Sequence, residues 1–375
     1  MLKIKVESQS QLAFVNPERP TVPGFRIVFQ RTLRIPDDGK KYPLPPGMGA
    51  FPIRRVIDYK DRVPASWLKT SGVFIPMYQR EAMWISFQSR PWRPNALKIA
   101  AGKINAVSGK PWDQKLAPPE RAGRLGRMLG GHKEDLQDYL VSGPQPWLDG
   151  FNTGEGTIRQ FIAMPLGMGY TVEGQVTGKE EHGGLQIIVY EPRPGRFPEE
   201  PPPPPPSPAP RSMMFGGPGA PNELMLSMES MAAHAPAPAP ASASAGREMG
   251  LGAGGTITQK IYPDPHGIET WDPDNTGRVF VHIVNSMMWR ELTGEEPPTT
   301  PVTAKSYTEA GYPWFKLYDE NKGDVAHSPV LAKVKSVAEM DAQHGFVGVE
   351  DNDSVPIAAA QVKGLPKDEV PDGDW

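Results

Sequence analysis

The chain of 375 residues contains no cysteine. Disulfides, thiolate metal sites, iron–sulfur clusters and cysteine nucleophiles are therefore excluded. No apolar run approaches the ~18 residues that a membrane-spanning helix needs. The start, Met1-Leu-Lys-Ile-Lys-Val-Glu7, alternates apolar with charged residues where a signal peptide would carry an apolar block. The expectation is a soluble, cytoplasmic chain. An excess of one charge is missing too. Forty Lys and Arg stand against 43 Asp and Glu, a formal net charge of −3, which argues against nucleic acid or an acidic membrane surface as the main partner. H-E-x-x-H, a Walker-A loop and a G-x-S-x-G elbow are all absent. The seven histidines (His132, His182, His234, His266, His282, His327 and His344) lack the paired spacing of a zinc site. No metal or cofactor is implied.

Large apolar side chains are scarce in one stretch, and that scarcity organises the chain. Between Pro198 and Ile261 the only Phe, Tyr or Trp is Phe215. So little apolar mass cannot offset the entropy of ordering the segment. Pro201 to Pro206 are consecutive prolines, which fix φ and donate no backbone hydrogen bond, so they read as a stiff polyproline-II rod. The Ala, Gly and Ser that follow read as flexible. Residues 198–253 are thus a disordered Pro/Ala/Met-rich connector between a body at 1–197 and a smaller region at 254–345, with an acidic tail at 346–375.

One piece of the connector differs from its surroundings. Asn222 is a helix cap, and Leu224, Met225, Met228 and Met231 fall at i, i+1, i+4 and i+7, one apolar stripe. So short a helix is marginal alone. Methionine adapts to many surfaces, so the stripe suits a groove on a partner or on this protein.

Glycine (39) and proline (45) are plentiful, which favours turns and strands over long helices. Leu2, Ile4 and Val6 alternate with charged residues, and Phe25, Ile27, Phe29, Leu33 and Ile35 share one parity while Arg26, Gln30, Thr32 and Arg34 share the other, the period of half-buried strands. Further strands are expected at 73–78, 82–87, 97–107, 157–164, 170–177 and 185–190, the last two as a hairpin. The fold class is mainly β: an antiparallel β-sandwich or barrel-like N-terminal body, joined by the connector to a small α+β region.

In that region 256–262 and Val279-Phe-Val-His-Ile-Val284 read as strands. The second is apolar on both faces, which so small a unit cannot cover, so it is expected to pack on the first body. A short helix is expected over 286–292. Another is expected after Ser328-Pro329, with Val330, Leu331, Val334, Val337 and Ala338 on one face. Gly250 to Gly255 matches G-x-G-x-x-G, but connector precedes it and a strand follows, so no dinucleotide site is read from it.

Four of the nine tryptophans follow proline directly: Trp92, Trp112, Trp147 and Trp314. Asp113 and Asp149 lie beside two of them. Such loops either present indoles to sugar rings or to a Pro-rich peptide, this chain's own tract included, or anchor themselves in the core. Arg121, Arg124, Arg127, His132 and Lys133 read as a phosphate- or acid-binding patch or as a solvated face, with a helix expected over 133–141. Asp272, Asp274 and Thr276 begin like a calcium loop, but Ile283 stands where its bidentate glutamate belongs. His282 reads as a hydrogen-bonded core residue. Acid pairs drawn from Asp113, Asp149, Glu173 and Glu191 are not linked by any motif.

The functional expectation is a non-enzymatic scaffold or structural assembly protein, working through a protein partner or self-association. The alternative is a carbohydrate-binding or carbohydrate-active β-sandwich that uses Trp92, Trp112, Trp147 and Asp149.

Overall fold

The structure is a computed structural model that describes residues 1–20, 22–90, 92–117, 137–200, 202, 247–316, 323–346, 349 and 353–364. The connector segment with Leu224, Met225, Met228 and Met231 lies outside the described residues, as do Arg121, Arg124, Arg127, His132 and Lys133.

Alternation builds the first strands. Lys3–Glu7 (β1), Gln11–Val15 (β2) and Phe25–Thr32 (β3) pair antiparallel in order. Phe25, Ile27 and Phe29 turn into the core, while Arg26 and Gln30 stay partly open. The chain continues through Lys41–Tyr42 (β4), Gly47–Ala50 (β5), Arg54–Arg55 (β6), Val73–Pro76 (β7), Ala82–Gln88 (β8), Ala96–Ala101 (β9) and Ile104–Asn105 (β10). Leu140–Val141 (β11), Trp147–Leu148 (β12), Gly150–Gly154 (β13), Thr157–Pro165 (β14), Leu185–Pro192 (β15), Glu248–Thr258 (β16) and Trp271–Val284 (β17) complete a 17-stranded sheet.

Its backbone is the ladder β1-β2-β3-β8-β14-β16-β17-β15-β9, antiparallel throughout. Among the described strands, β4 on β16 and β7 on β17 join it in parallel. Leu2 N–H donates to Thr276 O at 2.9 Å, so the start of β1 returns to β17 and the sheet rolls into a barrel-like body. Phe14, Phe29, Ile85, Ile99, Phe161, Ile187 and Val281 share the core inside it.

The described helices are short: Ala65–Thr70 (α1), Val172–Thr177 (α2), Ser286–Thr293 (α3), Ala304–Glu309 (α4) and Val337–Gln343 (α5). Helices α1 and α3 cover β7 through Trp67, Phe74 and Trp289. Trp314–Lys316 (β18) and Val362–Gly364 (β19) form a separate parallel pair.

The chain before and after the connector forms one sheet. Val279–Val284 sits between β15, β7 and β16, which explains why both of its faces are apolar. Residues 248–253, read from sequence as the end of the connector, are strand. Gly250, Gly252 and Gly254 give one face of β16 no side chains, so Thr171, Tyr170 and Ile162 approach its backbone. A Cβ on Gly250 would meet Thr171 Cγ2 at 2.7 Å, and one on Gly254 would meet Ile162 Cγ1 at 2.6 Å.

Residues 172–177 are helix, not the first arm of a hairpin. Thr171 caps the helix by accepting from Gly174 N–H, and Gly178 ends it at φ +78°. The helix expected over 133–141 does not extend through Leu140–Val141, which pair with β9. The helix expected after Ser328 is interrupted. A 3₁₀ turn at Leu331–Lys333 precedes extended Val334, and Ser336 with Glu339 closes a capping box that starts α5 afresh. Asp272 to Gly277, read as a turn, lies within β17.

Residues 259–264 belong to no strand, and side chains satisfy their backbone. Gln145 donates to Lys260 O at 3.3 Å and accepts from Tyr262 N–H at 3.0 Å. Gln137 donates to Tyr262 O at 3.3 Å and accepts from Asp264 N–H at 2.7 Å. Asp324 accepts from Ile261 N–H at 2.9 Å. Primary amides thus stand in for a missing ladder strand, as buried backbone groups require.

Candidate functional site

Strands β3, β8 and β12 put one row of side chains on the outward face of the barrel. In register, Gln30 lies opposite Trp84, and Ser86 lies opposite Trp147. All four are half-buried, whereas Trp67, Trp271, Trp289 and Trp314 are fully buried. The Trp84 and Trp147 rings meet edge to face, 5.7 Å between centroids at 61°, a favoured aromatic geometry. Gly47 on β5 leaves room beside Trp84, since a Cβ there would meet its ring at 3.1 Å. The charge on this face is balanced: Arg26 pairs with Glu7 at 2.7 Å.

Asp149 lies behind Trp147 and is buried. Gln259 holds it twice, accepting from Asp149 N–H at 3.1 Å and donating to its carboxylate at 2.5 Å. Burial pushes the Asp149 carboxyl up to about 7, against the opposing pull of hydrogen bonds from Gln259 and the Trp147 indole. A carboxyl of this kind changes charge near neutrality, next to an indole that is partly open.

Of the residues singled out from sequence, Trp147 and Asp149 come together. Trp112 does not join them. It packs with Leu116 and Phe197 against Tyr139, Tyr190 and Trp271. Trp92 sits half-buried near the turn that brings Arg90 to Arg93. Trp314 is core. At Trp112 and Trp314 the residue after proline packs against the core. Trp84 was missed because it follows no proline, although its place in the alternating run 82–88 put it opposite the buried Ile85.

The acids remain apart. Glu191 is buried with Arg90 (2.9 Å), Arg93 (3.2 Å) and Asn95 (3.0 Å). Glu173 accepts three backbone N–H groups, and Asp113 accepts from Lys115 N–H. A groove of about 400 Å³ between β1 and β6 is lined by Val6, Gln9, Ile53, Arg54, Arg55, Asp58 and Glu295. Its cations are already engaged, Arg54 with Glu295 at 2.5 Å and Arg55 with Asp58 at 2.7 Å. Among the described residues no group of three or more His, Asp or Glu is placed to hold a metal ion, and no helix is long and apolar enough to cross a membrane.

The connector is tied down at both of its ends. After β15, Arg193 N–H donates to Thr270 O at 2.8 Å, and Phe197 meets His266 edge to face at 5.0 Å and stacks with Trp271 at 6.4 Å. Glu199 then pairs with Arg93 at 3.4 Å and with Arg19. Before β16, Arg247 O accepts from Asn285 N–H at 3.1 Å and its guanidinium pairs with Glu291. Because β15 and β16 both run antiparallel to β17, they run in the same direction, and the end of β15 at Pro192 and the start of β16 at Glu248 lie at opposite ends of β17.

Comparison of the chain with protein-family models, with curated proteins and with solved structures returned no match.

Proposed function

We propose that this protein works by protein–protein contact, as a scaffold or assembly component whose rigid β body holds its central connector out to a partner or to a second copy. The tie-down at both ends of β17 carries this proposal. From its Trp271 end to its Val284 end that strand covers about 40 Å at ~3.3 Å per residue. A flexible chain of the connector's length has a root-mean-square span of about 35–40 Å. The distance between the two anchors is therefore within the ordinary reach of such a chain, and a segment tethered at both ends is kept at high local concentration near the body. The apolar stripe Leu224, Met225, Met228 and Met231 is the element such an arrangement would display.

Deleting 221–234 from the full chain tests this. The melting temperature should hold, since the deleted residues follow Phe197 and Glu199 and precede Arg247. Co-purifying protein, or the oligomer seen by light scattering, should be lost. An unchanged set of partners and an unchanged oligomer would overturn the proposal.

A second reading rests on the Trp84–Trp147 pair, which offers two partly open indoles beside Gln30 and Ser86, a surface suited to sugar rings. A panel of oligosaccharides should then quench tryptophan fluorescence, and Trp147→Ala should abolish the response. No quenching across the panel excludes it.

A further inference from the structure

We infer that the outward face carrying Trp84 and Trp147 is a docking groove for this chain's own proline tract, residues 203–210. The inference deepens the interaction role proposed above and rests on it for its consequence, because a tract held on the body is withheld from partners.

The chemistry of the face fits that occupant. A polyproline-II strand makes no internal hydrogen bonds, so its carbonyls are free acceptors and its rings are apolar. Proteins recognise it with aromatic side chains that form a groove, flanked by uncharged donors. Trp84 and Trp147 supply angled rings, 61° apart. Gln30 and Ser86 supply donors at neighbouring register positions. The tract, Pro-Pro-Pro-Pro-Ser-Pro-Ala-Pro, has no charge, and Arg26 at the face is already paired with Glu7.

The anchoring of Glu199, four residues before the tract, also fits. Glu199 is held by Arg93 and Arg19, and Arg93 lies five residues beyond Gln88, the last residue of β8. Trp84 is four residues back along that strand, roughly 13 Å from Gln88. Eight residues of polyproline II cover about 25 Å, longer than the stretch of β8 from Gln88 to Trp84. The remaining residues to Arg247 number 36 (211–246) and span about 30–35 Å as a flexible chain, so the tract is not tied closely to the Arg247 anchor.

A self-docked tract competes with any partner that reads polyproline. If nine-tenths of molecules are docked, the apparent affinity for such a partner falls about tenfold.

The test uses the full chain labelled with 5-fluorotryptophan, its Trp84 and Trp147 resonances assigned from Trp84→Phe and Trp147→Phe. Replacing Pro203, Pro204, Pro205 and Pro206 by serine changes no residue of the β body, so the fold should hold. The Trp84 and Trp147 resonances should move, those of Trp67, Trp271, Trp289 and Trp314 should not, and a free decaproline peptide should restore the original positions. An isolated SH3 domain, used as a polyproline reader, should bind Trp147→Phe about threefold or more tighter than the unaltered chain. Resonances of Trp84 and Trp147 that ignore the serine substitutions overturn the inference. So does an oligosaccharide that shifts them equally with and without the prolines, which would make the face a sugar platform. If the fluorine shifts appear while deletion of 221–234 loses no partner or oligomer, the docking stands and the interaction role falls. If the deletion loses a partner but the shifts are absent, the reverse holds.

Discussion

Gln259 grips Asp149 at both ends, accepting from its backbone N–H at 3.1 Å and donating to its carboxylate at 2.5 Å. Even so, burial holds this carboxyl near 7, against an ordinary value of 3.8. Between those values the native state keeps a proton that the unfolded chain has released. Stability should therefore fall as pH rises from about 4 to about 7, and level off above that. The full window corresponds to roughly 4 kcal/mol as an upper bound. Asp149→Asn removes the titration. The difference in urea midpoint between pH 5 and pH 8 should shrink in the variant relative to the parent. Parallel pH profiles for the two proteins would exclude this role for Asp149.

His282 gives the opposite slope. It is stacked between Trp67 and Phe280, at 4.1 and 4.3 Å, and its Nε2 lies 3.1 Å from Ser71 O and 3.2 Å from Thr70 Oγ1. A carbonyl only accepts, so Nε2 carries the proton of the neutral ring. Desolvation lowers the ring from 6.5 to about 4. Below 6.5 the unfolded chain takes up a proton that the native state refuses, so stability is lost as pH falls from about 6.5 towards 4, by on the order of 3 kcal/mol. His282→Gln keeps a donor for Ser71 and abolishes the loss. Thermal melts at pH 6.5 and 4.5 check it: the parent's drop in melting temperature should exceed the variant's.

Gly255 reports how closely β16 is approached. A Cβ there would lie 2.3 Å from Pro36 O, a backbone atom that cannot swing aside. Gly255→Ala should cost about 2 kcal/mol or more, since either the strand or the Pro36 turn must shift. Gly294→Ala is the control: its φ is +75° but no atom lies near the new Cβ, so about 1 kcal/mol of backbone strain is expected. Equal midpoints in denaturant for the two variants would contradict the close approach.

The same strand shows where the sequence is legible and where it is not. Strands at 25–32, 82–88 and 185–192 announce themselves because large apolar side chains mark every second position. In β16 the marker fails, because Gly250, Gly252 and Gly254 occupy the face against which Tyr170 and Thr171 pack. A strand without side chains on one face reads like the linker before it. Helix α2 was misread for another reason: Tyr170 and Val172 alternate as in a strand, and the cap Thr171 with the stop Gly178 is the signal that outweighs six residues of weak periodicity. At the outward face Trp147 was legible through its proline. Trp84 and Gln259 were not, since their roles depend on pairing between segments distant in sequence.

Glu173 is a structural carboxylate, and its removal should act locally. It accepts from the backbone N–H groups of Glu181, His182 and Gly183 at 3.0, 2.8 and 2.8 Å, three consecutive donors that no strand partner serves. A neutral amide offers one acceptor oxygen and turns two donors toward the same N–H groups. Glu173→Gln should therefore leave at least one buried donor unpaired, Gly183 being buried, at a cost of about 1–3 kcal/mol. Because β14 and β15 keep their own ladders, the loss should appear as faster amide exchange at 181–183 with little change at 157–165. Uniform acceleration across both segments would mean that the carboxylate supports the whole barrel, and unchanged exchange at 181–183 would mean that the three hydrogen bonds contribute nothing to holding the loop.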